Sequence, residues 1–139
     1  MRTDTQHNAY MLVCILLVLT QTVMAKTWTV CTSCEHSSIK GTIERAEAHD
    51  TLLVQKGTYR EYEILVDKPL YIKGIGYPIV DGEKKGEIFQ VRSDHVTLDG
   101  LFIINVGVSY TKDNAAIRVI QSKDFLIQNM VLEQLFFGI

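Results

Sequence analysis

Leu70-Tyr71-Ile72-Lys73-Gly74, Val96-Thr97-Leu98-Asp99-Gly100 and Phe125-Leu126-Ile127-Gln128-Asn129 repeat one pattern. Each reads apolar, any residue, apolar, polar, then Gly or Asn. The copies stand 26 and 29 residues apart. Apolar side chains at alternate positions mark a strand with one buried face, and a Gly or Asn directly after it marks a sharp corner. A short strand recurring at a near-fixed interval identifies a solenoid, in which each copy forms one coil and pairs with the equivalent strand one coil away. The sheets are then parallel. Gly74, Gly100 and Asn129 share the corner slot, where a tight or left-handed backbone is expected.

The same reading extends outward. At an offset of 29, Ile88 aligns with Ile117, Leu98 with Ile127 and Ile103 with Leu132. Ile64-Leu65-Val66 and Ile79-Val80 supply further strands, and Gly57-Thr58-Tyr59 and Asp81-Gly82 read as turns. Gly107–Ala116 is polar without period and reads as a protruding loop. Upstream, Thr27–Val30 and Thr51–Val54 have strand character. Between them Ser37 or Ser38 caps a helix that carries Ile39, Ile43 and Ala46 on one face and ends near His49-Asp50. The expected fold is all-β: a right-handed parallel β-helix of roughly four coils, with a short N-terminal capping helix.

The 139-residue chain is long enough for one domain. It carries a net charge of −2, with no basic cluster longer than Lys84-Lys85, so nothing in it points to nucleic acid. Met11–Leu19 (MLVCILLVL) is too short to span a membrane, for which about 20 residues are needed, and fits the apolar region of a secretory signal peptide. Val23-Met24-Ala25 precedes a plausible cleavage point. Residues 1–25 are therefore expected to be a signal peptide and 26–139 the mature chain. The alternative is an uncleaved N-terminal anchor. Val13 before Cys14 disfavours lipidation. Either way the mature chain faces an oxidising compartment, expected to be the periplasm. The apolar ending Phe136-Phe137-Gly138-Ile139 leaves a solenoid core open, so residues 26–139 are expected to be the N-terminal part of a longer β-helix.

The segments Thr42-Ile43-Glu44-Arg45-Ala46, Asp50–Val54, Gly57-Thr58-Tyr59 and Asp67-Lys68-Pro69-Leu70 resemble the first coils of the pectin-lyase-like superfamily of right-handed parallel β-helices. A narrower resemblance rests on Tyr77–Glu83, Val96–Gly100, Ile103–Gly107 and Leu132–Ile139. These are similar to the NosD family, the periplasmic maturation factors of nitrous oxide reductase. That resemblance implies a non-enzymatic role. The implied partners are the ATPase and permease subunits of an ABC transporter, a copper chaperone and nitrous oxide reductase itself. It implies no integral membrane segment and assigns no copper ligand within this chain.

Cys31-x-x-Cys34 is the sharpest chemical feature. A covalent haem site fails, because Glu35 follows and His36 comes one position late. A copper(I) or sulfur-handling pair is chemically sensible, with Cys31, Cys34 and His36 as the candidate metal ligands, since soft thiolates select Cu(I). A structural disulfide is the blander reading and the one preferred here, and thiol exchange is the third. His49-Asp50 and Asp94-His95 sit at expected corners and read as turn formers rather than as ligands or bases. Asp81, Asp94, Asp99, Asp113 and Asp124 have the composition of an acid–base set, but turn chemistry accounts for Asp81, Asp94, Asp99 and Asp124. Arg92 aligns with Gln121, not with Arg118. Phe102, Phe136 and Phe137 cannot all face inward, so at least one is expected on the surface. The competing function is a secreted carbohydrate-active β-helix enzyme, a lyase or epimerase, which rests on fold analogy alone.

Overall fold

The computed structural model describes residues 24–135 and 139. The expected signal peptide, Cys14, Phe136 and Phe137 therefore fall outside the described residues, apart from its last two positions, Met24 and Ala25. The described residues form a parallel β-solenoid of about four turns with one short helix. Its strands are β1 (Thr27–Val30), β2 (Thr51–Val54), β3 (Thr58–Arg60), β4 (Ile64–Val66), β5 (Tyr71–Gly74) and β6 (Ile79–Asp81). They continue as β7 (Phe89–Val91), β8 (Thr97–Asp99), β9 (Phe102–Ile104), β10 (Ile117–Val119), β11 (Leu126–Gln128) and β12 (Val131–Glu133). Helix α1 (Ile39–Arg45) lies between β1 and β2. One sheet runs β1-β2-β5-β8-β11, a second β3-β6-β9-β12 and a third β4-β7-β10. The described helix is not long or apolar enough to cross a membrane.

Register turns the sequence pattern into a stacked core. Leu52, Ile72, Leu98 and Ile127 are successive Cα partners in the first sheet. Tyr59, Val80, Ile103 and Leu132 stack in the second, and Ile64, Phe89 and Ile117 in the third. Leu52, Ile72, Leu98, Ile103, Ile64, Phe89 and Ile117 are all fully buried. Each such side chain contributes about 1.5–3 kcal/mol of burial. In the last described coil Ile127, Met130, Leu132 and Leu135 are only partly buried against that core.

The expected alignments of Leu98 with Ile127 and of Ile103 with Leu132 match the register. The third does not. Ile117 pairs with Phe89, leaving Ile88 over the Ala115–Ala116 backbone, because the connection before β10 is one residue shorter than an offset of 29 requires. For the same reason Arg118 pairs with Gln90, and Ile120, not Gln121, falls at the position of Arg92. Gly57-Thr58-Tyr59 is not a free turn. Thr58 and Tyr59 belong to β3, and Tyr59 turns inward, its hydroxyl within donating distance of two carbonyls, that of Gln55 (2.8 Å) nearer than that of Val30 (3.2 Å). The loop expected over Gly107–Ala116 protrudes only in part: Val108 and Tyr110–Asp113 are exposed, while Ala115 and Ala116 are buried.

The corner slot is filled for two different reasons. Gly100 and Asn129 adopt φ of 72° and 52°, the left-handed region. Gly74 does not. A Cβ there would meet the Gly100 carbonyl oxygen at 2.2 Å, so close approach of neighbouring coils requires glycine. Other corners place polar residues in the left-handed region, among them His49, His95, Asn105 and Asp124.

The helix forms where Ser38, in extended conformation, accepts a hydrogen bond from the Gly41 N–H (3.0 Å). Glu61 reaches across from the first coil and accepts from the backbone N–H groups of Ile39 and Lys40, both at 2.8 Å. Ile39 and Ile43 are buried over the core. The helix stops at Arg45, short of His49-Asp50, because Ala46 turns extended. The Lys68 ammonium donates to the carbonyls of Ile43 and Ala46 there, supplying partners at the helix end.

Candidate functional site

The CxxC motif sits directly after β1, on the capped end of the solenoid. Cys31 and Cys34 are joined in a disulfide, with their Cα atoms 5.1 Å apart. The turn has backbone bonds of its own: the Cys34 N–H donates to the Cys31 carbonyl and the Cys31 N–H to the His36 carbonyl, each at 3.1 Å. Thr32 to Glu35 are exposed and Cys31 is half-buried. The half-buried His36 ring meets Trp28 edge-on, with ring centroids 5.0 Å apart. In this form each sulfur is bonded to the other, so copper ligation by Cys31, Cys34 and His36 would require the reduced pair. Among the described residues no group of three or more His, Cys, Asp or Glu side chains is placed to hold a metal ion.

Beneath the motif lies a polar node that sequence reading missed. The buried Asp50 carboxylate accepts from the Lys26 N–H (2.6 Å), the Trp28 indole N–H (2.8 Å) and the Glu47 N–H (2.9 Å). Burial alone would raise its pKa. The Trp28, Lys26 and Glu47 hydrogen bonds and the Lys26 charge outweigh burial and hold the group below its ordinary value. The Lys26 ammonium lies 3.7 Å from the Trp28 ring centroid. Asp50 thus ties the chain before β1 to the corner before β2. His49, its neighbour, is an exposed corner residue with φ of 71°.

The other carboxylates hold corners too. Asp81 accepts from the Glu83 N–H (2.8 Å) and the Asn105 side-chain amide (2.9 Å). Asp99 accepts from the Asn129 amide (2.8 Å) and the Tyr71 hydroxyl (2.9 Å), linking three successive coils. The Asn129 bond, against burial and with help from Tyr71, lowers the Asp99 pKa. The bond to Asp99, together with burial, raises that of Tyr71. Asp94 accepts from the Lys123 N–H one coil on (2.6 Å), beside the exposed corner residue His95. Asp124 is a left-handed corner, and the Asp113 carbonyl accepts from Arg118.

One acid–base contact did not stand out from the sequence. Glu87, largely buried, accepts from Arg118 Nε at 2.6 Å and from the Gln90 amide. Only the one-residue shift in register brings Arg118 beside Gln90, so the repeat pattern concealed it. Phe102 faces outward and is half-buried, between Ile79 and Val131 on neighbouring strands. A groove of about 460 Å³ between α1 and the corner after β3 is lined by Lys40, Glu44, Arg60, Glu61 and Glu63, charges of both signs. Glu61 within it is already engaged with the helix. Compared with protein-family models, with curated proteins and with solved structures, the chain matches none.

Proposed function

We propose that this chain is a non-catalytic scaffold for copper-site maturation of nitrous oxide reductase, acting in the periplasm as a right-handed parallel β-helix. Its partners on this reading are the ATPase and permease subunits of an ABC transporter, a copper chaperone and the reductase. Copper is cargo passed between partners. The observation that carries the reading is the run of segments Tyr77–Glu83, Val96–Gly100, Ile103–Gly107 and Leu132–Ile139, which resemble the NosD family. The fold is compatible with it. The use of Asp81, Asp94 and Asp99 in corner hydrogen bonds also favours a scaffold over a polysaccharide-cleaving enzyme.

The test is deletion of the gene in its native host. The expected result is nitrous oxide reductase that is exported but lacks its copper–sulfur cluster, restored by the gene in trans. Reductase with a full copper complement in the deletion strain would overturn the proposal. The complete protein is also expected to leave uronate polymers intact. Measurable cleavage or epimerisation would transfer the assignment to a carbohydrate-active enzyme.

A further inference from the structure

The Cys31–Cys34 bond closes a loop of sequence separation three. Cross-links stabilise chiefly by removing loop entropy from the unfolded chain, and that gain is smallest for the shortest loops. The bond also lies outside the hydrophobic core, which is built from Val30 inward without either cysteine. What the turn needs for its shape it draws from elsewhere. The bonds Cys34 N–H to Cys31 carbonyl and Cys31 N–H to His36 carbonyl do not involve sulfur. Thr32 rests against Gly57, where a Cβ would come within 2.9 Å of the Thr32 methyl. Opening the disulfide therefore leaves two thiols facing each other on a turn that is still held.

The two cysteine residues are not equivalent. Cys34 is exposed and Cys31 is half-buried. The Ser33 hydroxyl lies 3.8 Å from Cys31 Sγ, placed to donate to it. The exposed Cys34 is thus the half open to an attacking thiolate, and the Ser33 hydroxyl is placed to support charge released on Cys31. This asymmetry is what directional exchange requires: an accessible sulfur to attack and a supported leaving group.

We propose that Cys31–Cys34 is a reversible thiol–disulfide exchange site, opened at Cys34 by a dithiol reductant. A thiolate of the reductant attacks Cys34 Sγ. A bond forms between the reductant and Cys34 as the Cys31–Cys34 bond breaks, and the electron pair leaves on Cys31, which takes up a proton. The reductant's second thiolate then displaces Cys34 from the mixed disulfide, and Cys34 is protonated in turn. Two electrons and two protons have moved, leaving a dithiol here and a disulfide on the reductant. The inference does not rest on the maturation role.

Trp28, the sole tryptophan, reports on the site through its contact with His36. The test uses the full chain carrying Cys14→Ser, so that only two sulfurs respond. Equilibration in mixtures of reduced and oxidised dithiothreitol should give reversible appearance of two alkylatable thiols. Trp28 emission should change in step while far-UV circular dichroism stays constant. With Cys31→Ser added, the free Cys34 should react with oxidised glutathione about tenfold faster than the free Cys31 of a Cys34→Ser chain. Thiols that appear only together with loss of the circular dichroism signal would overturn the proposal. So would a Cys31 that reacts as fast as Cys34. The titration of the Cys14→Ser chain decides the matter if either single-cysteine variant fails to fold.

Discussion

Removing the Asp50 side chain strands three donors that converge from separate parts of the chain. Asp50→Ala is expected to lower unfolding free energy by about 2 kcal/mol at neutral pH, read by urea titration of Trp28 emission. The folded carboxyl lies below its ordinary value of 3.8, so its contribution is complete above that value and is lost as pH falls through the lower, folded pKa. The gap between wild type and variant should therefore narrow on acidification below about pH 4. A gap that stays constant down to pH 2 would show that the carboxylate charge is not what the three donors stabilise. In the sequence Asp50 has the look of a turn former alone, because nothing local announces donors from Lys26 and Trp28. The corner residues were more legible. Gly100 and Asn129 carry their backbone requirement in their own identity, whereas the requirement at Gly74 comes from a carbonyl on the next coil.

At the scale of elements, two glycines make opposite predictions. A Cβ at Gly74 collides with the Gly100 carbonyl and, at 2.8 Å, with Pro78 Cδ. Gly74→Ala should cost about 2–4 kcal/mol, since backbone on the adjoining coil must move. In α1 a Cβ at Gly41 would meet only Ser38, at 3.4 Å or more, and Gly41→Ala should stabilise by about 0.5–1 kcal/mol. Thermal melts of the two variants check both signs, and a neutral Gly74→Ala would refute the close-approach account. Glu61→Ala should release the first turn of α1 at a cost of about 1–2 kcal/mol, with faster amide exchange at Ile39 and Lys40. The helix itself was legible from its cap and apolar spacing. Its end was not, because the lysine that meets its last carbonyls, Lys68, comes more than twenty residues later, in the corner after β4.

For the molecule as a whole, stability should follow position in the stack. Leu98→Ala, in the middle, is expected to cost about 3 kcal/mol, and Leu132→Ala, in the partly buried last described coil, about 1 kcal/mol. Equal losses would show that the coils do not share load as drawn. The solenoid was legible because three coils repeat a pattern. The first coil escaped it: Val54 occupies the corner slot, and β2 pairs with β5 at a shorter interval than the later coils use. The connection between the second and third sheets grows from residues 61–63 to 82–88 to 105–116 without disturbing any strand pairing on either side. In evolutionary terms that edge of the molecule is a free margin. Segments inserted there change the outline of a single turn and leave the alignment of every other turn intact. New surface can accumulate along one side while the architecture beneath it is inherited unchanged.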